Sequence, residues 1–155
     1  MNFDPTLLET YHTLLRTTEL QKAYQEFIRL FRFLRNELER QMPDFRFQSS
    51  ITENAMDYAY FSFTNPDLKE NGLKLVAAFD HKNFQLEVWL SGVKRTAQYR
   101  WAEQWSVCPP PMELTQKPNC TAFVVRLPVE TDLSDGGKTV AAVKEAVVQL
   151  LQLLP

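Results

Sequence analysis

The stretch LKLVAAFDHKNFQLEVWLSG at residues 73–92 decides the fold class. Every second residue on both sides of residues 81–83 is apolar: Leu73, Leu75, Ala77 and Phe79 before them, and Phe84, Leu86, Val88 and Leu90 after them. A period of two is typical of a strand with one buried face. Pairing Phe79 with Phe84 puts both apolar sets on one face, so the sequence predicts an antiparallel hairpin in that register.

Two amphipathic helices are predicted before the hairpin. Asp4-Pro5 is a typical helix start, and leucines at helical spacing predict a first helix over residues 5–16. Thr18-Glu19-Leu20-Gln21 resembles a capping box and opens a long second helix that Pro43 stops after Met42. From Phe45 the apolar period changes to two, which predicts two strands joined by residues 52–55.

The part of the chain after the hairpin completes an α+β fold. Tryptophan and alanine spacing predicts a helix over residues 93–105, and the four prolines within 108–119 predict a loop. Residues 121–127 read as a fifth strand that Pro128 stops, and residues 138–154 as a closing helix. The predicted order is ααββββαβα: a single α+β domain over residues 1–155, with a mostly antiparallel sheet of about five strands, two N-terminal helices, one helix between strands 4 and 5, and a C-terminal helix.

Composition excludes several functional classes. The chain has 155 residues, of which 45% are apolar and 23% charged, values that exclude a disordered, collagen-like or disulfide-scaffold protein. A net charge of -2 gives no general attraction to nucleic acid or to an anionic membrane, so neither partner is expected. With only two cysteines, no signal peptide and no apolar run long enough for a bilayer, we expect a cytoplasmic protein.

The element order is similar to the core of the PD-(D/E)XK metal-dependent nucleases, which implies two strand carboxylates on a divalent ion and a lysine nearby. Pro43-Asp44 and Asp67-Leu68-Lys69 match the motif literally, but the first precedes a strand and the second lies in a turn. The strand carboxylates are Asp57, Asp80 and Glu87. An enzyme requires them to converge with Lys74, whereas the alternative is a cross-strand ion pair between Lys74 and Glu87.

Other reactive side chains form no known motif. Cys108 and Cys120 lack metal-ligand spacing with the two histidines, and His81 in the hairpin turn is expected to be solvated. Gly136-Gly137-Lys138-Thr139 lacks the full pattern of a phosphate loop and reads as a turn into the last helix. No catalytic residue, metal ligand or cofactor is assigned.

The aromatic run at residues 58–63 suggests a ligand site. Alternation sends Tyr58 and Tyr60 to one face of the sheet and Phe61 and Phe63 to the other. A sheet that is apolar on both faces is either covered by helices on both sides or keeps a concave face that accepts a ligand. The residues expected to line such a face are Arg46, Tyr58, Tyr60, Lys74, Glu87 and Trp89.

The closing helix suggests an interface. Its apolar residues occupy more than one side, so a single sheet cannot cover all of them. Either the helix is sunk between the sheet and the first two helices, or it contacts a second copy or an unknown protein. The residues expected at such an interface are Val147, Val148, Leu151 and Leu154.

Several short segments resemble an uncharacterised bacterial family that is known only as a domain of unknown function. They lie within about residues 20–105: Gln21-Lys22-Ala23-Tyr24, Met42-Pro43-Asp44-Phe45, Asp57-Tyr58-Ala59-Tyr60-Phe61, Leu73-Lys74-Leu75-Val76, residues 84–92 and Tyr99-Arg100-Trp101. The resemblance implies no activity. We therefore expect a non-catalytic binding or protein-interaction module, with a degenerate nuclease-like protein or another small metal-dependent hydrolase as the alternative.

Overall fold

The computed structural model describes residues 1–105 and 107–155. These residues form five helices and one sheet of seven strands. The helices are α1 (Pro5–Thr17), α2 (Leu20–Gln41), α3 (Pro66–Glu70), α4 (Arg95–Gln104) and α5 (Gly136–Leu151). The strands are β1 (Arg46–Phe47), β2 (Thr52–Asn54), β3 (Tyr58–Thr64), β4 (Leu73–Asp80), β5 (Gln85–Gly92), β6 (Glu113–Leu114) and β7 (Val125–Val129). The predicted α+β class is confirmed.

All pairs in the sheet are antiparallel, in the order β1-β3-β4-β5-β7-β6, with β2 also paired to β3. The central hairpin of β4 and β5 places Phe79 opposite Leu86, so the predicted pairing of Phe79 with Phe84 is wrong by two residues. Phe84 instead belongs to the turn, where its φ of 49° lies in the left-handed region. A shift of two residues leaves the side chains of both strands on their predicted faces, but Phe84, predicted to be buried, is 71% exposed.

Helices α2 and α5 cover one face of the sheet and form the core with it. From α2 come Phe31, Leu34 and Leu38, and from α5 Val140, Val143, Val147 and Leu150. The sheet contributes the apolar set of the hairpin together with Phe61, Phe63, Val125 and Leu127. Complete burial of each large side chain contributes about 1.5–3 kcal/mol, which makes this layer the main source of stability.

Side-chain caps explain where three helices begin. The Asp4 carboxylate accepts hydrogen bonds from the Thr6 and Leu7 amides at 2.9 and 3.1 Å, and Asp135 accepts one from the Lys138 amide at 3.0 Å. The glycine pair at 136–137 therefore forms the first turn of α5, which begins two residues before the predicted start at residue 138. Asn65 caps α3 by accepting from the Leu68 amide at 2.8 Å. The sequence analysis did not predict this one-turn helix.

The sheet has more strands than the predicted five because short segments pair with their neighbours. Residues 52–54, predicted as a connection, form β2 opposite β3, and the chain turns instead at Ala55 and Met56, which have positive φ. Within the predicted loop 108–119, β6 pairs with β7 opposite Val125 and Arg126 only. One side of β7 is therefore unpaired at Pro128, which explains why the strand runs through a residue predicted to stop it.

Candidate functional site

The face of the sheet turned away from α2 and α5, here called the outer face, carries its own small apolar cluster. It consists of the buried Val76, Ala78 and Trp89, with Tyr58, Tyr60 and Phe123 packed against them. In the part of the chain that the structure describes, no helix contributes a residue to this cluster. The first of the two predicted arrangements, a sheet covered by helices on both faces, is therefore not the one observed at this cluster.

All six predicted ligand residues lie on the outer face, but the register separates them. Tyr58, Glu87 and Trp89 lie near one another, with the rings of Tyr58 and Trp89 5.5 Å apart, and Tyr60 packs against the same cluster. Arg46 lies opposite Thr64 on β3, and Lys74 lies opposite Ser91. The expected side-chain set therefore does not form one compact site.

The register also rules out an ion pair between Lys74 and Glu87. Glu87 lies opposite Ala78, four residues along β4 from Lys74. At about 3.3 Å per residue this separates the two positions by about 13 Å. The predicted cross-strand ion pair is therefore wrong, because it assumed a different pairing of the two strands.

Glu87 is the most buried ionisable group on the outer face. Its side chain is 1% exposed, its Oε1 accepts a hydrogen bond from the Trp89 indole at 2.9 Å, and its Oε2 lies 4.0 Å from Nη1 of Arg126. Burial raises the pKa of the Glu87 carboxyl, and the Trp89 hydrogen bond and the Arg126 charge offset only part of this effect. The site thus contains a carboxylate whose ionised form is poorly solvated.

Arg126, which was not predicted from the sequence, lies on β7 at the edge of this cluster. It lies opposite Trp89 on β7, pairs with Glu113, and its guanidinium carbon lies 5.2 Å from the Phe123 ring centre. Its Nε is buried and has no hydrogen-bond partner within residues 1–105 and 107–155. The sequence could have assigned Arg126 to the outer face, because it alternates with Val125 and Leu127, which face the core.

Two further aromatic rings pack against Trp89, the residue that donates a hydrogen bond to the Glu87 carboxylate. The Trp89 ring lies 5.5 Å from that of Tyr58 and 5.6 Å from that of Phe123. Burial raises the pKa of the Tyr58 hydroxyl, and the negative charges of Asp80 and Glu87 add to the effect. The rings and the ionisable groups therefore form one coupled site, here called the Glu87 site: Tyr58, Glu87, Trp89, Phe123 and Arg126.

The strand carboxylates do not converge with Lys74, as the enzyme interpretation requires. Asp80 accepts hydrogen bonds from the Lys82 amide at 3.1 Å and from the Asn83 side chain at 2.6 Å, so it holds the hairpin turn. Asp44 precedes β1 and Asp67 lies in the first turn of α3. Across the described residues, no three His, Cys, Asp or Glu side chains are grouped so that they could hold a metal ion. The nuclease-like interpretation therefore gains no support.

His81 is half-buried rather than solvated as expected. Its Nε2 lies 3.0 Å from Oε1 of Glu53, and its ring packs edge-on against Phe27 and Phe79. Tyr24 donates a hydrogen bond to the same carboxylate, and burial together with Glu53 raises the pKa of Tyr24 to about 12. This cluster joins α2, β2 and the hairpin turn, which are too far apart in the sequence for a motif to reveal them.

The predicted interface residues of the last helix differ in their exposure. Val147 is buried in the core and is not available to a partner. Leu151 and Leu154 are half-buried and pack against the core, and Val148 is 56% exposed. The helix is thus largely sunk against the sheet and α2. Within the described ranges, none of the helices has the length and apolar character needed to cross a bilayer.

The fold and the Glu87 site define an α+β protein built on one antiparallel sheet, with helices on one face and an aromatic, charged cluster on the other. The chain belongs to the family described as Domain of unknown function (DUF7000), whose model matches residues 5–154. The match agrees with the predicted kind of family and extends the resemblance beyond residues 20–105. No curated protein and no solved structure matches the chain.

Proposed function

We propose that the chain is a non-catalytic binding module that holds an organic cation at the Glu87 site. The observation that carries this proposal is the buried Glu87 carboxylate, hydrogen-bonded to Trp89 within the aromatic cluster of the outer face. An organic cation here means a quaternary ammonium, amine or guanidinium group on a small molecule.

The burial of Glu87 argues for a role beyond stability. A buried carboxylate costs free energy of folding, and an apolar residue at the same position would pack against Val76 and Trp89 without that cost. Ionisable groups with shifted pKa values in poorly solvated surroundings are common at functional sites. Position 87 therefore fits a binding role better than a purely structural one.

The charges and rings at the site favour a positive ligand. Three carboxylates, those of Asp80, Glu87 and Glu113, act on the site, and Arg126 supplies one positive charge. A cation over an aromatic face gains about 0.5–2 kcal/mol, most over tryptophan. Arg126 already makes this contact with Phe123, which shows that a cation and an aromatic ring can pair on this face.

The hydrolase alternative is less well supported. It needs carboxylates and Lys74 at one point, and the register places Lys74 about 13 Å along the strand from Glu87. The Asp80 carboxylate already accepts hydrogen bonds from Lys82 and Asn83 in the hairpin turn. A binding role requires neither a lysine nor a second free carboxylate at Glu87.

The test is an NMR titration that follows the three tryptophan indole N–H signals, assigned with the Trp89→Phe variant. Tetramethylammonium chloride is the probe, and sodium chloride and sodium acetate are the salt controls. Trp101 and Trp105 lie in the core on the other face and serve as internal controls. We expect saturable movement of the Trp89 signal alone. Equal movement of all three signals, or movement with acetate instead, would refute the proposal.

Two variants sharpen the test. Glu87→Gln keeps the shape of the side chain and removes its charge, and we expect it to weaken binding of tetramethylammonium at least about tenfold. Lys74→Gln is the matched control, because Lys74 lies on the same face but away from the Glu87 site. If the two variants bind the probe equally well, Glu87 does not carry the binding.

A further inference from the structure

Helix α1 carries an apolar stripe that its own chain leaves exposed. None of its residues is buried. Leu15 is half-buried, but four other large apolar side chains of α1 and one just before it are 41–73% exposed: Phe3, Leu7, Leu8, Tyr11 and Leu14. Positions 7, 8, 11 and 14 recur at helical spacing and therefore share one side of α1.

A helix of this length needs a packing partner. Isolated helices shorter than about 12–15 residues are only marginally stable in water, and α1 has 13 residues. At about 200 Å² for a large side chain, the exposed stripe presents roughly 600 Å² of apolar surface. This is at the upper end of what a monomeric protein leaves open.

A groove on the body of the protein has matching dimensions. Its volume is about 850 Å³, and it lies between α2, the hairpin turn and the start of α5. The apolar residues that line it are Ala23, Phe27, Leu30, Phe33, Phe84 and Leu133. From Ala23 to Phe33 the groove follows α2 for about 15 Å, and the α1 stripe from Leu7 to Leu14 covers about 11 Å.

We propose that two copies of the chain form a twofold dimer in which α1 of each copy lies in the groove of the other. Phe33 and Phe84, 43% and 71% exposed, give the groove roughly 350 Å² of apolar surface with their neighbours. One docked helix would bury roughly 950 Å² in total, below the ~1,000 Å² expected of a specific interface. Reciprocal docking roughly doubles this area and reaches the standard size.

The occupant is a second copy because both complementary surfaces belong to the same chain and each leaves large apolar side chains exposed. Only Thr18 and Glu19 separate α1 from α2, and α1 lies outside the groove of its own chain. A twofold arrangement satisfies both copies at once and leaves no free groove for a third. The contact differs from the one predicted for the C-terminal helix and is independent of the Glu87 site.

The experiment measures the oligomeric state of the full chain by sedimentation equilibrium over a wide range of concentrations. Leu8→Lys changes the stripe, and Phe84→Asn changes the groove with a residue that accepts left-handed backbone. Val148→Lys is the matched control, because it places the same charge on the exposed side of α5. Far-UV circular dichroism verifies that each variant is folded.

We expect a dimer for the wild type and for Val148→Lys, and dimer dissociation constants at least about tenfold higher for Leu8→Lys and for Phe84→Asn. A mixture of those two variants keeps one intact helix and groove pair, so it should regain part of the association. A wild type that is monomeric throughout overturns the proposal. So does a dimer that only Val148→Lys weakens, or one that Leu8→Lys weakens and Phe84→Asn does not.

Discussion

Replacing Arg126 by Met tests how the buried Glu87 carboxylate is stabilised. The methionine keeps most of the length of the side chain over Phe123 and removes the charge that faces Glu87. Arg126 is 29% exposed, whereas Glu87 is almost fully buried. The substitution therefore leaves a buried carboxylate with the Trp89 indole as its remaining hydrogen-bond donor.

The expected loss follows from the geometry. Two unit charges 4.0 Å apart attract each other by about 4 kcal/mol at an effective dielectric constant of about 20. The partial exposure of Arg126 and its second ion pair with Glu113 reduce this value. We expect Arg126→Met to lower the free energy of unfolding by about 1–3 kcal/mol near neutral pH.

The loss should depend on pH in one direction. Burial places the pKa of Glu87 above its ordinary value of 4.5, so the stability associated with its protonated form is complete below pH 4.5 and is lost as the pH rises through the raised pKa. Removing Arg126 raises that pKa further. The variant and the wild type should therefore differ little below pH 4.5 and most near neutral pH.

The effect is measured by urea unfolding below pH 4.5 and near neutral pH. Combining Arg126→Met with Glu87→Gln gives a double-mutant cycle. In the Glu87→Gln background, Arg126→Met should cost much less, because no buried charge is left unpaired. An equal cost at both pH values and in both backgrounds would show that the two groups are not coupled and that Arg126 acts only through packing.

Three further predictions concern other parts of the fold. Leu34→Ala, at a core position 1% exposed, should lower the free energy of unfolding by about 2–5 kcal/mol in urea, and a loss below 1 kcal/mol would contradict the packing described. Gly92→Ala places a Cβ 2.6 Å from the Gln98 amide nitrogen, so thermal unfolding should show a loss of about 1–3 kcal/mol. Tyr24, with its pKa raised to about 12 by burial and Glu53, should remain protonated as the pH passes 10. Its contribution to stability is complete below pH 10 and is lost as the pH rises through about 12, and Tyr24→Phe should remove the late step from a tyrosinate absorbance titration.

The regular elements were predictable because their signals are local. The Asp4-Pro5 start of α1 and the apolar stripe of α2 gave helices close to the observed ones. The alternation in residues 73–92 gave the correct faces for β4 and β5. The register failed because the turn includes Phe84 in left-handed backbone, a conformation unusual for that residue.

The shortest strands could not be predicted for a different reason. β2 has three residues and β6 has two, too few to show a period of two. Each is a strand only because β3 or β7 lies beside it and supplies the hydrogen bonds. Such pairing depends on the tertiary structure, so the strand propensity of the segment itself does not predict it.

The difference between local signals and tertiary pairing also explains how much of the candidate site could be predicted from the sequence. Alternation assigns a residue to a face, and for this reason all six predicted ligand residues are on the outer face. Proximity within a face depends on register between strands, which separated Arg46 and Lys74 from Glu87 and placed Arg126 beside Trp89. A pattern within one strand contains no information about the register between strands.

The two faces of the sheet follow the rules of burial to different degrees, and the proposed site lies on the face that departs from them. On the helix side, polarity and burial agree at nearly every position of the hairpin. On the outer face, Glu87 is charged and buried, while Trp89 is a large aromatic residue on a face without a helix. Natural proteins depart from such rules mainly where function requires it. The departures at Glu87, Trp89 and Arg126 lie side by side, so one ligand at the proposed site would account for all three.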